Sequence, residues 1–350
     1  MERDYSRKNL SQGKTYSGQV NAMNEAAITR EQKQKKRFEI PVQLAVSKRF
    51  GMYKDEDKKE IRVPEIVHDQ TFIRLQDAWQ NVRWKGHYSE FGKENYSAVL
   101  ASIKGIQYSS KDVEKFSAAL AVFQESDEFS ERVGYFLSCL INSCHETDFT
   151  IHTRQLNGDI AYLGLYNVKN IIVNGNPGEK IGHGMIRGRI TLNESTGWMP
   201  GGCMEGGEIV IHGDGGHHSG QWMDGGIIII EGDAGAGIGE WMKNGQIIVE
   251  GNAWKEVGHS MKGGKIIVKG NAGCRTGISM DNGEIIINGD CGYGLGNYMS
   301  GGRITVNGSA CKEIGYRMKG GEIHIEGDIG KIGEVEHGKI YHKGKLIVKK

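Results

Sequence analysis

Twelve histidines and six cysteines are the side chains from which this 350-residue chain could build a metal centre or a nucleophile. Cys139, Cys144, Cys203, Cys274, Cys291 and Cys311 contain no Cys-x-x-Cys pair, so neither a zinc clasp nor a disulfide framework is written into their spacing. They read as thiols of a reduced, cytoplasmic protein. The adjacent His217-His218, with Trp222 and Trp241 following, is the local polar cluster with the make-up of a ligand or catalytic site, and a surface corner or interface is its competing reading. Cys139-Cys144-His145 is a second possible ligand group, and His145 joins His217 and His218 as the histidines a cleft could use. Gly175-Asn176-Pro177-Gly178-Glu179-Lys180 resembles a phosphate loop only superficially, because the Walker spacing and the hydroxyl residue after lysine are missing. No Ser/His/Asp or Cys/His constellation can be assembled. The expectation is therefore no catalytic residue, no cofactor and no tightly bound metal in the isolated chain.

These residues are carried by a repeat. Met185, Met204, Met223, Met242, Met261, Met280, Met299 and Met318 follow one another at intervals of 19 residues. Counting from each methionine, position three is always glycine: Gly188, Gly207, Gly226, Gly245, Gly264, Gly283, Gly302 and Gly321. A glycine fixed in this way supplies the positive φ of a tight corner. A second corner follows the strand, where glycine precedes Asp214, Asp233, Asn252, Asn271, Asp290, Ser309 or Asp328. The acidic members of that row could suggest a calcium-binding roll, but the repeat length is wrong for one, and short side chains that cap turns explain them better.

Between the corners, segments such as Glu208-Ile209-Val210-Ile211-His212 alternate like a strand, with positions five and seven aliphatic in every turn. Small residues at position eleven and Ile238, Val257, Leu295 and Ile314 at position fifteen close the other sides of a narrow coil. The fold class expected is mainly β: a right-handed parallel β-helix of 19-residue turns over residues 151–343, about nine turns and roughly 40 Å long, with residues 344–350 as a tail. That geometry separates the remaining metal candidates. His217 and Cys274 share a row three turns apart, roughly 14 Å at the strand spacing. His183 and His259 are farther apart still. The methionine row, placed beside paired glycines, reads as stacked packing and not as a soft-metal ladder.

The pattern from Met204-Glu205-Gly206-Gly207 to Gly220 resembles the GXGXG β-helix family. That family includes the C subunit of formylmethanofuran dehydrogenase, the matching subunit of bacterial formyltransferase/hydrolase complexes and the C-terminal domain of the glutamate synthase large subunit. The resemblance covers residues 151–343. It implies a girder without catalytic residues that joins subunits or domains binding tungsten or molybdenum, zinc, flavin or iron–sulfur.

Residues 1–37 are polar and end in the basic run Lys33-Gln34-Lys35-Lys36-Arg37, expected as a disordered or partner-ordered arm. Residues 38–150 are expected to be a smaller mixed α/β domain with a helical hairpin near 110–143. Its first helix opens at Ser109-Ser110-Lys111-Asp112, and its second follows Ser126-Asp127-Glu128. The 44 basic and 43 acidic side chains nearly cancel, which makes nucleic acid an unlikely partner, and no apolar run is long enough to span a membrane.

One row has a further implication. The middle strand position points outward, yet it reads Val210, Ile229, Ile248, Ile267 and Ile286 over five turns. Aliphatic residues on an outer face mark an interface. The expected function is a non-catalytic scaffold that docks protein subunits of an oxidoreductase or formyl/amido-transfer complex. The alternatives are a ligand-binding protein or enzyme with its site between the N-terminal domain and the β-helix, and a self-assembling homo-oligomer.

Overall fold

The computed structural model describes residues 69–350 apart from 86–87 and 125–127. The described residues belong to one compact unit, His68–Lys350. The expected arm 1–37, with its basic run, and residues 38–68 lie outside the described residues.

Of the segment expected to be mixed α/β, the described residues up to Ser143 hold helices and no strand. These are α1 (Gln70–Gln80), α2 (Tyr88–Ser102), α3 (Ser110–Ala118), a 3-10 turn (Leu120–Phe123) and α4 (Phe129–Ser143). Asp69 starts α1 by accepting the backbone N–H of Thr71 at 2.9 Å and of Phe72 at 3.3 Å. Ser109 and Asp112 form a reciprocal capping box on α3, as the Ser-x-x-Asp spacing requires. Ser126-Asp127 lie outside the described residues, and Glu128, at φ 55°, starts α4 without a side-chain cap. The apolar positions at helical spacing, Val113, Phe116, Leu120, Val133, Phe136, Leu137 and Leu140, are all fully buried.

The rest is a parallel β-solenoid of about ten turns. Its strands are β1 (Asp148–His152), β2 (Asn170–Asn174), β3 (Arg189–Leu192), β4 (Glu208–Ile211), β5 (Ile227–Ile230), β6 (Gln246–Val249), β7 (Lys265–Val268), β8 (Glu284–Ile287), β9 (Arg303–Val306), β10 (Lys319–Ile325), β11 (His337–His342) and β12 (Lys345–Lys349). They form one 12-stranded sheet in chain order, parallel throughout except for the antiparallel β11–β12 pair. Two elements differ from the expectation. β1 adds a turn before the first one read from sequence, pairing Phe149 with Ile171 and Ile151 with Val173. The expected tail is strand β12, whose pairing with β11 ends the coil.

The interior follows the rows. Ile209, Ile211, Ile228, Ile230, Ile247, Val249 and their counterparts through Ile325 are inaccessible to solvent, as are all eight repeat methionines. At the second corner a side-chain ladder runs along the rod. Asp214 Oδ1 accepts the N–H of Asp233 at 2.9 Å, Asp233 Oδ1 that of Asn252 at 2.7 Å, and Asn252 Oδ1 that of Asn271 at 2.9 Å. The acidic row therefore caps the next turn's backbone instead of gathering round an ion.

The first coil is covered by helix α4. Ala161 N–H donates to Ser130 O at 3.1 Å, Ser138 Oγ donates to Tyr162 O at 3.1 Å, and Asn142 Nδ2 donates to Leu165 O at 3.0 Å. Gly134 permits this approach, since a Cβ there would stand 1.7 Å from Ala161 O. The helix supplies hydrogen-bond partners that a preceding turn provides elsewhere in the stack.

Candidate functional site: an aromatic and histidine corner

The segment between the second corner and the next methionine holds three left-handed residues at alternate positions in each turn from Lys180 to Arg317. In one turn these are His218 (φ 57°), Gly220 (φ 70°) and Trp222 (φ 56°), and in the next Gly237 (φ 71°), Gly239 (φ 66°) and Trp241 (φ 54°). The alternation sends successive N–H groups in opposite directions. Gly237 donates forward to Lys255 O, Gly239 backward to Ser219 O and Trp241 forward to His259 O, each at 2.9 Å. Only the middle position is always glycine, because a Cβ on Gly239 would meet Ile266 Cδ1 of the core at 2.5 Å. The outer two positions admit side chains that project from the coil, and that freedom builds the site.

All four tryptophans of the solenoid stand in this segment, one in each of four successive turns: Trp198, Trp222, Trp241 and Trp254. Trp198, Trp222 and Trp254 are 37%, 42% and 59% exposed. Trp222 and Trp241 stack with centroids 5.3 Å apart and planes 7° from parallel. Next to them Glu240, 7% exposed, is the centre of a polar group. Its Oε2 accepts from Gln221 Nε2 at 2.7 Å and meets His218 Nδ1 at 2.8 Å, while its Oε1 lies 3.4 Å from His259 Nδ1. The His218 ring is edge-on to Trp198 at 5.7 Å, and His259 lies beside Trp241 at 6.1 Å. A nearly buried carboxylate is thus held by imidazoles and an amide, with indoles close by in the same turns.

Of the sequence-predicted cluster, His218, Trp222 and Trp241 are brought together. His217 turns away, accepting the Ala236 N–H on Nδ1 at 2.9 Å and lying 5.7 Å from the Trp254 ring. Glu240, Gln221 and His259 were not singled out from sequence, although each stands one residue before Trp241, Trp222 or Ser260 in the same row. Cys139, Cys144 and His145 do not converge: the thiols are buried and directed at Tyr96 O and Tyr108 O, while His145 is 83% exposed at its side chain. Among the described residues no three His, Cys, Asp or Glu side chains are arranged to hold a metal ion. The aliphatic stripe is only partly open: Val210 is buried, and Ile229, Ile248, Ile267 and Ile286 are half-buried.

His183, in the row of Gln221 and Glu240, is shifted by its surroundings. Burial, and then the charge of Lys180, lower its pKa to about 4. Below about 6.5 the unfolded chain takes up a proton that folded His183 refuses. Stability is therefore expected to fall as pH drops from about 6.5 toward 4. Melting temperatures of the parent and His183→Phe across this window check it, since the variant should show a shallower decline. Parallel curves would remove His183 as the cause.

Residues 208–340, from the start of β4 into β11, match the sequence profile of the GXGXG motif family. Alternating glycines such as Gly237-Ile238-Gly239 and Gly294-Leu295-Gly296 fit that description. No curated protein matches the chain.

Proposed function

With the GXGXG motif across residues 208–340 as premise, we propose that this chain is a non-catalytic docking scaffold for protein subunits of an oxidoreductase or formyl/amido-transfer assembly in the cytoplasm. It brings no cofactor of its own. The observation that carries this reading is the tryptophan corner, where exposed indoles from successive turns form a surface of the kind that dominates binding energy at protein interfaces. The half-buried stripe Ile229, Ile248, Ile267 and Ile286 offers a second apolar contact on the sheet. Helix α4 covers the first coil and the lysine-flanked strand β12 closes the last, which favours docking on the sides over end-to-end stacking of copies.

Tagged full-length chain recovered from native extract tests the proposal, with mass spectrometry and cofactor analysis of what accompanies it. The parent should bring down stoichiometric subunits that carry a redox or transferase centre, and the Trp222→Ala/Trp241→Ala double variant should lose them while keeping its circular dichroism. Ile248→Lys reports separately on the sheet face. Retention of the same subunits by both variants, or turnover by the chain alone, would defeat the scaffold reading.

A further inference from the structure

Glu240 is 7% exposed, and among the described residues no lysine or arginine nitrogen comes within 4 Å of its carboxylate. Its hydrogen-bond partners are an amide and imidazoles. A carboxylate withdrawn from water in this way is costly unless a cation or several strong donors face it. The donors are unevenly placed. Oε2 receives both Gln221 and His218, whereas the contact at Oε1 is His259 Nδ1 at 3.4 Å, too long for a good hydrogen bond. Because Gln221 Nε2 is committed to Glu240, its Oε1 is left buried with no hydrogen-bond partner in a side chain only 5% exposed.

The neighbouring indoles supply what a planar cation needs besides acceptors. Trp222 and Trp241, which directly follow Gln221 and Glu240 in the chain, are stacked on each other, and Trp198 stands beyond His218. The same chain shows how its indoles and phenols treat cations: Lys180 Nζ lies 4.6 Å from the Tyr162 ring centroid and 5.4 Å from that of Trp198. Aromatic surface near a carboxylate whose partners are imidazoles and an amide favours a positively charged group, and guanidinium is the better fit than ammonium. It stacks flat on indole, and its fork of donors can serve Glu240 Oε1, the carboxylate oxygen without a short hydrogen bond.

We propose that the Glu240 carboxylate, with Trp198, Trp222 and Trp241 close by on the same corner, is the receptor for an arginine side chain presented by the docked protein. This rests on the docking reading and specifies its central contact. Glu240 then completes its pairing only in the complex, while His218 and His259 hold the carboxylate in the free chain.

The probe is the blocked tripeptide acetyl-Gly-Arg-Gly-amide, titrated into the full chain and followed by the indole N–H resonances of Trp222 and Trp241. Its citrulline counterpart has the same shape without the charge. Saturable shifts are expected for the arginine peptide, with at least about tenfold weaker binding for the citrulline peptide and for the Glu240→Gln chain, the loss expected when one charge-assisted contact is removed. Equal behaviour of the two peptides, an unchanged affinity in Glu240→Gln, or no shift at either indole would overturn the receptor. The native-extract experiment separates the two claims. If Glu240→Gln keeps its partner subunits while the tryptophan double variant loses them, the arginine receptor is wrong and the scaffold stands. If the arginine peptide binds as expected but no subunit depends on the corner, the receptor stands without the scaffold.

Discussion

Gly245→Val is expected to abolish soluble, folded protein. Gly245 sits at φ 94°, and the equivalent glycines from Gly188 to Gly321 all lie between φ 83° and φ 100°. A β-branched residue strongly disfavours that region. Space is closed as well. A Cβ there would stand 2.7 Å from Gly226 O and 2.8 Å from Met223 Cε. Gly226 O accepts the Gln246 N–H at 2.9 Å, so relieving the clash would break a bond between turns. Met223 cannot retreat, because it is fully buried in the methionine stack. Backbone strain and overpacking together cost on the order of 3–6 kcal/mol, a large share of a domain's net stability. Expression yield, solubility and thermal melting measure the effect, with Gly245→Ala as the milder member of the series. A Val variant with parental melting temperature and solubility would disprove the strained-corner assignment.

The second large effect is a contrast within one turn. Gly294 and Gly296 both have positive φ, 78° and 65°, yet their surroundings differ. At Gly296 a Cβ would meet Ile323 Cδ1 at 2.5 Å, and Ile323 is fully buried. At Gly294 the nearest atom is the side-chain Asn297 Nδ2 at 3.1 Å, and the same row elsewhere holds His218, Glu256, Arg275 and Glu313 in left-handed conformation. Gly296→Ala should therefore cost about 2–4 kcal/mol, whereas Gly294→Asn should stay within about 1 kcal/mol because asparagine tolerates this backbone. Chemical denaturation of the two variants side by side gives the comparison. If Asn at 294 proves as damaging as Ala at 296, the triplet is limited by backbone conformation and not by the core beneath its middle residue.

The coil was legible wherever one residue type recurs for one physical reason. The methionine row, the corner glycines and the inward isoleucines each repeat because every turn asks the same thing of that position. The alternating left-handed triplet was hidden, because His218, Trp222, Trp241, Glu256 and Arg275 hold positive φ that their identities do not announce. Stacking of neighbouring turns imposes it on them. The Glu240 group was hidden for a related reason. Its row changes from His183 through Gln221 and Glu240 to His259, and the contacts join residues a whole turn apart. β1 escaped because the loop joining it to β2 departs from the repeat, and β12 because its partner runs antiparallel and carries no repeat signature.

Every strand from β2 to β9 pairs in unbroken residue-for-residue register with the next. Such a stack can change length only in whole coils. Excising 19 residues between two equivalent points, such as Gly245 and Gly264, would join surfaces that already match, whereas removing one residue fewer would misalign every corner beyond the cut. The separation between whatever attaches near helix α4 and whatever attaches near β12 is thus quantised in steps of about 4.8 Å. A rod of this type sets distance by counting turns.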